Sequence, residues 1–385
     1  MKKKICTEKP FEYLRRQKTN EPFPEETVRN WYIARSYVLH RLENCSFAPE
    51  VDGHLHIVIA GDTPLMLAVL RQVALSAHYP NYVEADPFNH LLCRNRTVIT
   101  LVSNKDANDI VAELGKEENL GNLLQFCKCS VYGDVRNEDS YIDVELEITQ
   151  EADNEPGCIL FEENDIKAYL EGEKTDDIFS VDTRKAVYAQ RSYEVGTQVD
   201  NITHENINGT GRHSQALETF QYHILQDKKG LQLITEEWKD NLTAVKNGLS
   251  NVICADCFES RELAIRHLCP DYDILSDKDK KAIWENNIIA LSISEHSRWV
   301  VEKLILGFRP MSDQERACYE SLFGAKRKAY YQKLKNNAVS PVHIDLRSYR
   351  DLRRADPDNL KYDSFLMLAI PLILDKIRKD DKRKS

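Results

Sequence analysis

The chain has 385 residues, of which 52 are Lys or Arg and 62 are Asp or Glu, for a net charge of −10 at neutral pH. That length calls for two or three domains with a sizeable interior, and the acidic balance argues against general nucleic-acid binding through a broad basic surface. Ten cysteines spread over the whole length lack the density of a disulfide scaffold, which favours a reducing compartment.

The opening MKKKICTEKPFEYLRR turns polar before any apolar stretch could serve as a signal peptide. FPEETVRNWYIARSYVLHRL (23–42) carries Pro24 and two acids where a first helical turn would sit, with Val28, Tyr32, Tyr37 and Leu39 at roughly helical spacing. HLHIVIAGD (54–62) then predicts a strand ending in Gly61. The following TPLMLAVLRQVALSAHY predicts a helix, with Pro64 at a first helical position and a four-residue apolar step. A second strand in 96–104 and a helix in DANDIVAELGKE continue a βαβα order, the signature of a parallel sheet. CKCSVYGDV, YIDVELEIT and GCILFEENDIKAYL supply the remaining strand candidates, the last with a turn.

Acidic residues crowd 134–178, and beyond them the strand signal fades. From 182 the pattern is helical apart from the Gly/Asn-rich NITHENINGTGRHSQ, whose residues favour a loop. The expected organisation is a helical lead (1–50), an α/β Rossmann-like parallel-sheet domain (51–178), a helical connector (179–276), a small, mainly helical C-terminal domain (277–376) and a disordered basic tail (377–385). The longest apolar run, 365–374, contains Pro371 and is about half of what a membrane-spanning helix needs. A soluble, cytoplasmic protein without a transmembrane segment is expected.

Three places could carry chemistry. After the first strand, Gly61-Asp62-Thr63-Pro64-Leu65-Met66 retains only the first glycine of a dinucleotide turn, and Pro64 removes a donor, so ordinary NAD(P) binding is disfavoured. A phosphate could still meet Gly61, Thr63 and the helix N-terminus. Cys254, Cys257, His267 and Cys269 number four potential zinc ligands, yet they fall in a nearly continuous helical pattern, where small buried residues are the better reading. Finally, SEHSRWVVEKLILGFRP (294–310) sets Glu295, Arg298 and Glu302 at helical ion-pair spacing, with His296, Trp299 and Lys303 on a neighbouring face. No paired carboxylates, metal-ligand spacing or nucleophile–base signature accompanies them, and the structural alternative is a half-buried helix whose charges satisfy one another.

The last stretch belongs to a longer succession. Glu295-His296-x-Arg298-Trp299, then Gly307-Phe308-Arg309-Pro310, then His343, Leu346, Tyr349 and Leu352, and finally Asp356 and Ile370-Pro371 resemble in order the motifs of the RyR domain, the repeat found in ryanodine receptors and in many bacterial proteins. The resemblance covers about 290–375; Phe308 replaces the commoner Trp or Tyr, and the loop carrying ACYESLFGAKRKAYYQKLKNN is long. The layout is similar to bacterial proteins that join a Rossmann-like domain of the potassium-transport-regulator type to a C-terminal RyR domain, some of them predicted sensors of nucleotide signals in antiviral defence.

What the resemblance implies is regulation through a nucleotide-like ligand rather than catalysis. The implied ligand-binding residues are Glu295, His296, Arg298, Trp299, Phe308, Arg309, His343 and Tyr349. Trp299, Phe308 and Tyr349 would offer stacking faces, worth ~1–3 kcal/mol per base, and Arg298, Arg309, Lys326, Arg327 and Lys328 would offer charge to phosphate. Trp299 suits the core of so small a domain as well as it suits a ligand platform. Beyond that ligand no cofactor or metal is expected. A homodimer and a protein partner are expected, with a nucleotide-processing enzyme and a cytosolic channel regulator as alternatives.

Overall fold

The computed structural model describes residues 25–86, 92–116, 120–151, 157–173, 175–178, 184–185, 250–337, 339–356 and 360–383. The Gly/Asn-rich stretch expected as a loop, and most of the expected connector, lie outside the described residues.

The N-terminal half is an α/β domain. Helix α1 (Glu25–Leu42) precedes strand β1 (His56–Ala60), helix α2 (Pro64–Ser76), strand β2 (Thr97–Val102) and helices α3 (Ala107–Lys116) and α4 (Gly121–Phe126). Strands β3 (Lys128–Val131), β4 (Asp134–Arg136), β5 (Val144–Thr149) and β6 (Ile159–Glu162) follow, with helices α5 (Glu163–Gly172) and α6 (Thr175–Ile178) behind them. The strands form one sheet in the order β4-β3-β5-β2-β1-β6. All pairings are parallel except β3 with β4, which turn back on each other through Tyr132 and Gly133, both at positive φ. Because β6 lies beside β1 on the side away from β2, the strand order reverses there, and the ends of β1 and β6 flank the usual crevice of an open α/β sheet.

Alternation along β5 explains its placement. Val144, Leu146 and Ile148 are buried, while Glu145 meets Lys128 at 2.7 Å and Glu147 accepts from Thr100 at 3.1 Å. Helix α2 is different, since every residue from Met66 to Ser76 is buried. A helix apolar on one stripe could not be so enclosed; α2 is covered by the sheet, by α1 and by a helix from the C-terminal half. The described part of the expected lead, from residue 25, thus belongs to the sheet domain, with Trp31, Tyr32 and Tyr37 in the same core as Ile57 and Phe161.

The C-terminal half is helical: a turn-and-a-half at 250–255 (α7), α8 (Phe258–Leu268), α9 (Asp277–Asn286), α10 (Ile288–Ile305), α11 (Asp313–Ser321), α12 (Gly324–Lys335), α13 (Tyr349–Ala355) and α14 (Leu360–Lys382). Cys254, Phe258 and Ile265 share a core with Trp284, Leu291, Ile370 and Ile377, so the expected boundary at 276 falls inside one packed body. The expected disordered tail is corrected as well: α14 runs to Lys382 because Ile377 is buried and Arg378 Nη1 donates to Glu262 Oε1 at 2.8 Å. The long loop expected between the second and third motifs is a pair of helices, α11 and α12, begun by a Ser312/Glu315 capping box. Among the described residues, no helix is long and apolar enough to cross a membrane.

The halves are joined through α10, whose Val300, Val301, Leu304 and Ile305 lie in the same core as the sheet. Asn122 on α4 donates to the carbonyls of Leu304 (3.1 Å) and Phe308 (2.9 Å), closing the end of α10 against the sheet domain. A shared core predicts one cooperative unfolding transition for sheet and helices. Replacing Asn122 with Ala should lower stability by about 1–3 kcal/mol, measured by urea denaturation; separate transitions for the two halves would contradict the shared core.

Candidate functional site

The residues singled out by the sequence converge on one side of α10 and the loop before α13, but in two layers. In the inner layer, Arg298 is 1% exposed. Its Nη2 donates to Glu295 Oε1 at 2.8 Å and its Nη1 to Glu302 Oε2 at 2.8 Å. Glu302 is further held by Lys303 Nζ at 2.7 Å and by the Ser250 hydroxyl at 2.9 Å. Against the penalty of burial, Lys303 and Arg298 hold the Glu302 carboxyl down at about 2. Arg261 of α8, also fully buried, approaches Glu295 at 4.0 Å and donates to the carbonyl of His78 in the sheet domain. Glu295 and Arg298, expected to touch ligand, are instead the interior ion pairs by which α10 stays neutral enough to be buried. Truncating Arg298 to Ala leaves two carboxylates buried without it and should cost about 3–5 kcal/mol; a loss below 1 kcal/mol on denaturation would show that water reaches the network.

Phe308 and Tyr349 are also inner residues, 3% and 7% exposed. They are walls and not open stacking faces. Arg309 is committed to Glu315, with Nη1 and Nη2 each 2.7 Å from a carboxylate oxygen, and its Nε donates to Ser340 at 3.0 Å. This fork ties the α11–α12 pair to the end of α10 and holds the Glu315 carboxyl down at about 2. Lys326 and Lys328 are exposed on α12, and Arg327 lies 5.2 Å from the rings of both Tyr319 and Phe323.

The outer layer is aromatic. Trp299 is partly buried, its ring 4.9 Å from His343 edge-on, 5.9 Å from His296 and 5.6 Å from the Lys303 ammonium. His343 in turn stands 6.0 Å from Phe308, on the loop that follows the Arg309–Val342 bridge. Trp299 therefore packs on the core with one part while another stays accessible.

His296 links the layers. Its Nε2 lies 2.9 Å from the carbonyl of Arg347 and its Nδ1 lies 3.4 Å from Asp363. With an ionised Asp363 both ring nitrogens face acceptors, and the doubly protonated imidazolium then satisfies the site. Burial opposes that charge, but Asp363, the Arg347 carbonyl and Glu84 outweigh it, and His296 titrates above its ordinary value. Burial also pushes Asp363 up, against the pull of His296. The two directions conflict, since a neutral Nε2–H tautomer with a protonated Asp363 would also satisfy both partners; the imidazolium is favoured by the added negative charge of Glu84. A raised folded-state value gives stability that is fully present below the unfolded imidazole range and is lost as pH rises through the folded value. Denaturation of wild type should therefore show stability falling from pH 6 upward, and His296→Gln should remove that slope.

The turn after β1 does not join this cluster. Gly61, at φ +111°, donates its N–H to Val102 O at 3.0 Å. Thr63 accepts from Met66 N at 3.4 Å as the cap of α2 and donates to Glu163 at 3.1 Å. A phosphate there would face Asp62 and Glu163, the latter held ionised by Lys167, so the weak phosphate expectation for Gly61 and Thr63 has no geometric support. Cys254 and Cys257 are buried in cores while His267 is exposed, so the sulfurs and imidazole do not converge.

Two residues of the region escape sequence reasoning. Glu84, buried in the sheet domain, accepts from Tyr349 N (2.7 Å) and Arg350 N (3.0 Å), capping α13 from a distant part of the chain. Tyr141, ahead of β5, has a buried hydroxyl with no hydrogen-bond partner among the described residues. Glu84 sits in no periodic pattern, and Tyr141, although it opens the strand candidate YIDVELEIT, carries no local signal for its hydroxyl. Compared with protein-family models, curated proteins and solved structures, the chain matches none.

Proposed function

We propose that the chain joins a Rossmann-like sheet domain to an RyR-type helical domain and acts as a non-enzymatic, cytoplasmic ligand sensor for a nucleotide-like small molecule. The observation that carries this reading is the outer layer: a partly open indole bordered by the His343 imidazole and the Lys303 ammonium, set on the helix that both cores share. A partly accessible indole suits a nucleobase, and stacking on it contributes ~1–3 kcal/mol per base. The ion pairs of Arg298 and Arg309 are internal, so these residues hold the walls and Trp299 with His343 meets the ligand. Because α10 packs against the sheet, a ligand that prefers one setting of α10 shifts the relation of the halves. That shift would be read by a protein partner or a second copy of the chain.

Thermal unfolding of the purified protein with ATP, NAD, ADP-ribose and cyclic oligonucleotides tests the proposal. At least one should raise the melting temperature, and Trp299→Leu should weaken that ligand about tenfold or more, while Trp299→Phe retains most of the affinity. Absence of any shift across the panel at millimolar concentration rejects it.

A further inference from the structure

Between α10 and α13 the chain leaves the body as the α11–α12 pair. No residue of either helix is buried. The pair is fastened at its base by the Arg309–Glu315 fork and by Val342 N, which donates to Leu334 O at 3.2 Å. Its apex is the turn at Leu322 and Phe323, where Phe323 is 76% exposed and stands 5.2 Å from the Arg327 guanidinium. Charge is segregated here. In a chain of net charge −10, residues 321–337 hold Lys326, Arg327, Lys328, Lys333 and Lys335 and no acid, with Glu320 just ahead of them.

Folding does not account for these cations. Lys326, Arg327 and Lys328 fall at the start of α12, where positive charge opposes the helix dipole, and the first turn has no acid to offset them. Arg327 is occupied, its Nε donating to Leu322 O and its Nη2 to Glu320 O at 3.1 Å. Lys326, Lys328 and Lys333 are exposed and have no ion pair among the described residues. Helical spacing puts the exposed Ala325 and Ala329 in the middle of the outward face of α12, with Lys328 on one flank and Lys326 and Lys333 on the other. Small residues between cations let a flat surface come close.

We propose that the α11–α12 pair docks on an anionic lipid surface, with Phe323 entering the headgroup layer and the three lysines set against the lipid charges. Clustered basic residues beside an exposed apolar ring are the chemistry of such a surface. The open cations are lysines, point charges suited to a diffuse anionic plane, while the arginine able to fork to a single phosphate is turned to backbone carbonyls. A nucleic-acid strand is matched by successive stacking faces. Here Tyr319 and Tyr331 are turned to each other at 6.3 Å, and the ring that stands free is Phe323 at the apex. Because the rest of the chain is acidic, the same surface repels the body and meets the protein through this arm, which sets its orientation. The surface is separate from nucleotide sensing and stands or falls without it.

Co-sedimentation of the full-length protein with vesicles of phosphatidylcholine, with and without phosphatidylserine, tests the proposal. Wild type should bind the phosphatidylserine vesicles, lose most of that binding as salt is raised, and ignore pure phosphatidylcholine. Combining Lys326→Gln with Lys333→Gln should weaken binding about fivefold for each charge removed, about thirtyfold together. Phe323→Ser should weaken it several-fold and leave the remainder more sensitive to salt. These side chains are exposed, so the variants should melt with wild type; Lys328→Gln, on the other flank of the face, gives the same reading by a second route. Wild type that fails to bind phosphatidylserine, or lysine variants that bind as wild type does, overturn the proposal. An oligonucleotide bound by wild type when the vesicles are not assigns the face to nucleic acid and overturns it as well.

Discussion

The architecture depends on making α10 neutral enough to bury. Nearly every residue from Leu291 to Ile305 is enclosed, including two glutamates, an arginine and a lysine. An isolated charge in such a place would be prohibitive, and it is tolerated because each has a counter-charge within hydrogen-bond distance. Arg261 approaches the network from α8 and reaches the sheet domain with its other end, so the charges also fix how the helical half docks. Apolar contact alone would allow α10 to slide or rotate; ion pairs with defined geometry do not.

From that fixed helix the outer features follow. The end of α10 is closed by Asn122, and the chain beyond it is held by the Arg309–Glu315 fork, which orients α11. On the opposite flank α13 is capped by Glu84, so the loop bearing His343 and Arg347 is supported from the sheet domain. The aromatic layer is therefore bounded by elements from both halves. The aromatic layer thus connects to the sheet through packed side chains, without an intervening linker.

Much of this was legible in the chain order. Each of β1, β2, β5 and β6 falls within a stretch whose apolar alternation or run marked it, and α2 and α10 begin or continue where proline, caps and helical spacing indicated. The ion-pair spacing of Glu295, Arg298 and Glu302 was visible for the same reason, since neighbours on a helix are neighbours in sequence. The tail was misjudged because charge density in 377–385 outweighed Ile377, whose burial depends on a distant core.

Local rules therefore determined the α/β order, the parallel character of the sheet, the helical nature of the second half and the pairing of charges along α10. They rest on steric and hydrophobic periodicities that a short window contains. Only the tertiary structure decided that Arg298 and Phe308 face inward, that Trp299 straddles core and surface, and that Glu84 of the sheet domain caps α13. Those residues are brought together by packing between elements far apart in the chain, and no periodicity records which distant side chain will stand opposite.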